Sequence, residues 1–483
     1  MKLPVLAGLL ASFVVACSGA TTEPPTDPPV TKPTPDTNDG VKPPTDNPPK
    51  TDPPKACTAP LVDPQCSSTK PASNVSQFVK DTAIPIRCSG TDADSHVWDP
   101  SPLVALYGDN RMYMTGEVHG TNEIGIVSSI VFEELAKKGL VNKLGYELPM
   151  DLEPYLQKYV DTGQEPYATQ LMGQFATNFF GKILTQTARD LSAKGIKLEL
   201  AAVDIPMTPD TAVAAIKAVA AKLTTQKDTV LSTLPENVGQ PATPDDVTAL
   251  NAYFDKITGA KTQICSELSE ADCDRLDAMT HALWATGLQY DRAGDDALWF
   301  ERREVVIYYN MRTHMAAPTD RMYLHMGAHH TNKYAASAGS RMANEYALTK
   351  GRVFSVAPAY GDGSKIWYGE EMDLPGAPTS IIGALTSAPD NPVFVSNTRP
   401  SKSCDANPIG DEIEDTEGGK RSVVYDGYIH YGQLTSEKKP STTALSKDDV
   451  VFEPATTGGA FAAFRARIAA KEANAIAARG FSR

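Results

Sequence analysis

Several stretches of this chain place acidic or imidazole side chains directly after a short apolar run. Arg111 to Gly116 (RMYMTG) leads into Glu117-Val118-His119, Leu144 to Tyr146 into Glu147, Ile196 to Val203 into Asp204, and Arg321 to Leu324 into His325-Met326-Gly327-Ala328-His329-His330. An imidazole near its ordinary pKa can take a proton from water at neutral pH, and a neighbouring carboxylate orients it for that task. With His119 as the base, Glu117 or Glu147 fills the orienting role, and a cationic donor such as Arg303 or His329 stabilises a developing oxyanion. The same residue types can instead hold a divalent metal, with Glu117, His119, Glu147 and His329 as ligands of the mixed oxygen and nitrogen kind that suits zinc or manganese. The sequence has neither a Gly-x-Ser-x-Gly elbow nor a His-Glu-x-x-His helix, so a serine triad and a zincin site are both disfavoured.

Groups so far apart in sequence act together only if the fold gathers them. The repeated order of short apolar strand, polar loop and amphipathic helix predicts an α/β fold, a mostly parallel sheet covered by helices. Asn122 is expected to cap a helix carrying Ile126, Ile130, Val131 and Leu135, and a further helix is expected over Leu152 to Tyr159. Ligands of such sheets bind beyond the carboxyl ends of the strands, where Glu117, His119, Glu147, Asp204 and the histidines His325, His329 and His330 would share one rim. Residues 209–316 read as an inserted helical lobe over those strand ends, with start signals at Thr208-Pro209-Asp210, Thr243-Pro244-Asp245 and Asp295-Asp296. In its last helix Arg303, Ile307, Asn310 and His314 fall on one face. The surrounding Trp299, Phe300, Tyr308 and Tyr309 imply burial, so Arg303 needs a carboxylate partner, Glu117 or Glu147.

In this order the blocks GEVHGTNE (Gly116 to Glu123), LGYELPMDLEPYLQKYVDTG (Leu144 to Gly163), FERREVVIYYNM (Phe300 to Met311) and MYLHMGAHHTNK (Met322 to Lys333) resemble those of erythromycin esterases. Gly339 to Gly363 and Val424 to Gly432 are similar to the family's later blocks. The resemblance implies a hydrolase acting on a small-molecule ester, with Glu117 and His119 as its acidic and histidine pair and Glu147 as the second carboxylate. It further implies that Arg303 and Asn310 stand in the family's Arg-Asp-x-x-Met-x-x-Asn helix, Glu304 replacing Asp, and that His329 is the second histidine, with His325 and His330 beside it. Only Val118 separates Glu117 from His119, where the family has two residues. That spacing is closer to haem-binding uptake lipoproteins and membrane-anchored metalloproteases of the same broad superfamily. Three functions therefore follow: a cofactor-free esterase, a metal-dependent hydrolase or peptidase, and a lipoprotein that binds haem or another apolar ligand through an axial Tyr or His.

The N-terminus points to the cell envelope. Lys2, a short apolar run to Val15 and the box Val14-Val15-Ala16-Cys17 read as a lipoprotein signal over residues 1–17, with Cys17 lipidated and anchored in a bilayer. Ser18 after it favours the outer membrane or cell surface. Residues 18–56 are rich in Pro, Thr and Asp and read as a semi-rigid stalk, leaving 57–483 as the folded domain. The formal charge of −14 argues against nucleic acid as a partner. Besides Cys17 the cysteines are Cys57, Cys66, Cys88, Cys265, Cys273 and Cys404, an even set suited to disulfides in an exported protein. Cys57 with Cys66 and Cys265 with Cys273 are the near pairs, which leaves Cys88 with Cys404. Residues 375–421, with the acidic run Asp411 to Glu417, read as a long surface loop, and Gly459 to Ala478 as an amphipathic helix.

Overall fold

The computed structural model describes residues 70–71, 75–89, 96–164, 182–239, 242–288, 296–334, 336–361, 363–367, 370–374, 392–397, 405–407, 409, 424–434 and 436. The signal, the stalk, Cys57, Cys66, Cys404 and the expected helix at 459–478 lie outside them. The chain divides into two units, Met1–Pro53 and Pro54–Arg483, the first wholly outside the described residues.

The second unit is built on a mixed sheet of eight strands: β1 (Ile84–Pro85), β2 (Met112–Glu117), β3 (Lys143–Pro149), β4 (Glu199–Asp204), β5 (Met322–Gly327), β6 (Val353–Ala359), β7 (Val393–Ser396) and β8 (Gly427–His430). They lie in the order β1-β7-β8-β6-β2-β5-β3-β4. The six from β8 to β4 run parallel, and β7 pairs antiparallel with both β8 and β1. A parallel sheet covered on both faces demands strands that are apolar on both sides, and the sequence supplies them. Met112, Met114, Leu324, Met326 and Val203 point to one face. Their alternates Tyr113, Tyr323 and Leu200 point to the other.

Each face has its helices. Helix α1 (Asn122–Lys137), α2 (Glu153–Thr162) and α3 (Lys182–Ala193) pack on the tyrosine face through Val127, Val131, Leu156 and Leu184. The lobe between β4 and β5 carries α4 (Pro209–Ala220), α5 (Pro244–Gly259), α6 (Glu270–Gly287) and α7 (Asp296–His314). Ile307 and Met311 of α7 join the methionine face. A one-turn α8 (Ala328–Thr331) and α9 (Ala338–Asn344) follow β5.

Local sequence explains the boundaries, with some departures. Thr243 and Asp246 form a capping box on α5, and Ser269 caps α6 by accepting from the Asp272 amide. Asn122 does not cap α1. The extended residue Thr121 precedes the helix, and the Asn122 side chain donates instead to the Ser436 carbonyl at 2.6 Å. The helix expected at Leu152 starts at Glu153, after a 3-10 turn from Met150 to Leu152. Residues 375–421 are not all loop: Val393–Ser396 forms β7, whose four residues are too short to declare a period. Cys265 and Cys273 are bonded, and Cys88 is also in a disulfide.

Strand β4 is an edge of the sheet, yet side chains occupy its outer backbone groups. Gln157 accepts from the Leu200 amide (2.8 Å), Glu153 from the Ala202 amide (3.1 Å), and Asn310 donates to the Val203 carbonyl (3.0 Å). Beside this edge a cavity of about 670 Å³ opens between α4, α6 and α7, lined in part by Ala202, Ala215, Met279 and Asn310. Among the described residues no helix is long and apolar enough to cross a membrane.

Candidate active site

The parallel register sets Glu117 beside Gly327 and Thr115 beside His325 on adjacent strands. Glu147 sits where the β3–β4 register shifts, between the pairs Tyr146–Ala202 and Pro149–Asp204, a bulge that re-aims a side chain at a strand end. Asp204 ends β4. Two glycines keep the rim open. A Cβ on Gly116 would lie 2.9 Å from Cα and Cβ of Ala328, so α8 could not close against β2. One on Gly327 would lie 3.2 Å from Oε2 of Glu147 and 3.5 Å from Nε2 of His119, in the space between the reactive groups.

Two sets of charges meet there. In the first, the Glu117 carboxylate lies between two imidazoles: Oε1 is 2.7 Å from Nδ1 of His119, and Oε2 is 2.6 Å from Nε2 of His325. Both contacts are close enough to pair the carboxylate with each ring. Burial pushes the Glu117 carboxyl up, but the two imidazoles outweigh it and hold it at about 2. Burial pushes His119 down, but Glu117 and Glu147 outweigh that and raise it above 6.5.

In the second set, Arg303 of α7 donates to Asp204 through Nε (2.7 Å) and a terminal nitrogen (2.6 Å) and to Oε1 of Glu147. The other oxygen of Glu147 accepts from the Gly327 amide at 2.7 Å. His330 lies 3.3 Å from Glu147 and pairs through Nδ1 with Glu304, whose second oxygen accepts from the Ala338 amide. Burial opposes the charge on His330, yet Glu304 and Glu147 raise it to about 10. Burial likewise raises Glu147, but His330, Arg303 and His119 hold it well below the usual carboxylate range.

The sets touch where Nε2 of His119 comes within 3.8 Å of Oε2 of Glu147. The His119 side chain is 22% exposed, while those of Glu117, Glu147 and His330 are each below 10%. His119 is therefore the member of the cluster open to a ligand.

Of the residues singled out from sequence, Glu117, His119, Glu147, Asp204, Arg303, His325 and His330 converge. His329 does not join the buried cluster. It is exposed on α8, its ring 5.8 Å from that of His330 and 6.0 Å from that of Phe300, because one turn of helix points adjacent residues apart. Asn310 holds the backbone of β4 and lines the 670 Å³ cavity, whose lining does not include His119. His314 bridges Glu153 and Glu199 at 3.0 Å each, outside the cluster. Arg303 takes Glu147 rather than Glu117, and Asp204 is its second partner. Glu304 belongs to the site although the sequence reading gave it no role; its place beside Arg303 in the family-like helix was the available signal.

No protein-family model matches the chain, and no curated protein matches it in sequence. Among solved structures it is similar to a mutant of the erythromycin esterase EreC in its open conformation, at 13% identity and TM-score 0.52, over 72% of this chain and 97% of that one. It is similar to a succinoglycan biosynthesis protein at 12% identity and TM-score 0.53, over 75% and 97%. A Bacillus cereus protein matches at 15% identity and TM-score 0.50, over 76% and 98%. The fold is thus an α/β fold similar to that of erythromycin esterase, and at these identities the likeness is one of fold.

Proposed function

We propose that this protein is a hydrolase of small-molecule esters in which His119 is the general base, with no cofactor required. The observation that carries the reading is the pairing of Nδ1 of His119 with Glu117, which turns Nε2 toward Glu147 at 3.8 Å. A water molecule within hydrogen-bond reach of both atoms fits that gap, at about 2.8 Å from each. His119 would take its proton as it attacks the ester carbonyl. Arg303, whose nitrogens meet Asp204, Glu147 and, at 3.2 Å, Nε2 of His330, holds Glu147 in place. His329, exposed on the rim, is the donor available to the developing oxyanion. In this reading Cys17 carries a lipid that keeps the protein at the cell envelope, at the outer membrane or surface. Steady-state hydrolysis of an activated ester by the purified protein tests the activity; an enzyme with no turnover on a panel of acyl esters rules it out. Incorporation of labelled fatty acid, lost in Cys17→Ala, tests the anchor.

One observation favours a second reading. Glu117, His119 and Glu147 offer ligand atoms that all lie within 4.8 Å of one another, a set able to hold a divalent cation. A bound metal would supply an activated water at neutral pH. Stoichiometric zinc or manganese in elemental analysis, with activity lost to a chelator and restored by the metal, would replace the first reading by this one.

A further inference from the structure

We propose that His325 is a positioning residue: it fixes the plane of the Glu117 carboxylate so that His119 presents Nε2, and not Nδ1, to the substrate. The proposal rests on the reading of His119 as the base.

His325 stands in the middle of β5, between Thr115 of β2 and Tyr146 of β3, and is fully buried. Its neighbours along the strand are Tyr323, Leu324 and Met326, so an apolar side chain would serve packing better. A polar ring in such a place needs a partner, and among the described residues the one within reach is Oε2 of Glu117, 2.6 Å from Nε2. Both ring nitrogens are buried without an aligned hydrogen bond among the described residues, and Nε2 is the one that has a carboxylate oxygen beside it. A proton on Nδ1 would be an unsatisfied buried donor, whereas a proton on Nε2 faces a carboxylate, so the ring carries it on Nε2.

That donor matters because the terminal torsion of a glutamate is broad. Held at one oxygen, the carboxylate can turn about its own axis. Held at Oε2 by His325, it must offer Oε1 to His119, where the contact is 2.7 Å. The proton of neutral His119 then sits on Nδ1 and the lone pair on Nε2, on the side of Glu147 and Gly327. The logic is that of the orienting acid in a catalytic triad, extended by one residue into the core. His325 itself has no exposed surface and touches no substrate.

Two substitutions in the full chain separate this role from packing. Gln at 325 can place an amide nitrogen near the position of Nε2, while Leu fills the space with no donor. His325→Gln should keep kcat within about fivefold of wild type. His325→Leu should lower it by roughly thirtyfold or more, with KM changed less than about twofold and the thermal midpoint no lower than that of His325→Gln. A leucine variant as active as wild type, or a glutamine variant that falls as far as leucine, overturns the proposal. Nitrogen-15 NMR of the histidine side chains in the wild-type protein at alkaline pH decides the matter even if the variants do not fold. The expected pattern is a proton on Nε2 of His325 and on Nδ1 of His119; a proton on Nδ1 of His325 refutes it. Failure of the wild-type protein to hydrolyse any ester would count against the hydrolase reading alone, since the tautomers are read without substrate.

Discussion

The two halves of the site are built in different ways. Glu117, His119 and His325 come from adjacent parallel strands and the turn after one of them, so register alone brings them together. Arg303 and Glu304 come from a helix at the far end of the lobe, and they reach Glu147, Asp204 and His330 only once that helix has packed against β4. The strand half is oriented by the sheet and holds the group open to a ligand. The helix half is a closed set of charges whose main service is to fix Glu147. Chemistry and rigidity are thus divided between elements of different origin, and each half should fail in its own manner.

The largest expected effect falls on the helix half. Arg303→Met removes the one cation shared by two buried carboxylates, Glu147 and Asp204. Breaking a buried pair from one side costs about 3–5 kcal/mol, which urea unfolding should register along with loss of activity. A loss below about 1 kcal/mol would show that the lobe helix does not hold the site. The strand half should behave oppositely. His119→Ala should lower kcat on an activated ester by roughly a hundredfold or more, with the thermal midpoint almost unmoved; Glu147→Gln, at the junction of the two halves, should lower kcat as far. Unchanged turnover in both variants would remove them from the reaction. A smaller effect, about tenfold or somewhat more on kcat with no change in stability, is expected for His329→Ala if its ring serves the oxyanion.

The pH responses sharpen the contrast. Activity needs His119 neutral, and its pKa is raised by Glu117 and Glu147 against the opposing effect of burial, so kcat/KM should climb through a value above 6.5. A profile that levels off below 6.5 would contradict the observed pairing. For stability the signs differ by group. His330, raised from 6.5 to about 10, contributes fully below 6.5, and that contribution is lost as pH rises through about 10. Glu117, lowered from 4.5 to about 2, contributes fully above 4.5, and its share is lost as pH falls through about 2. The thermal midpoint should therefore fall on the alkaline side in wild type, and His330→Phe should flatten that limb.

How much of this was legible in the sequence follows the same division. The strands appear as apolar runs ending in polar residues, so Glu117, His119, Glu147, Asp204 and His325 are legible in the sequence. What the runs could not convey was partnership. Asp204 joins Arg303 across 99 residues through a packing contact that no local pattern encodes. The choice between His329 and His330 depends on the rotation of a single helical turn, which begins just after Gly327 and cannot be read from neighbouring letters. Asn310 shares a helix face with Arg303, yet lies far enough along α7 to meet the backbone of β4 instead. Strand β7 was hidden for a simpler reason: four residues between turn signals look like loop until β8 is there to pair with them.

The occupied edge of β4 has a consequence for how molecules of this kind tolerate crowding. Gln157, Glu153 and Asn310 already engage the amides and carbonyl that a foreign strand would seek. At the opposite margin β1 is two residues long and ends in Pro85. Among the described residues both margins of the sheet are thus blunted against intermolecular strand pairing, the usual first step toward fibrous deposits.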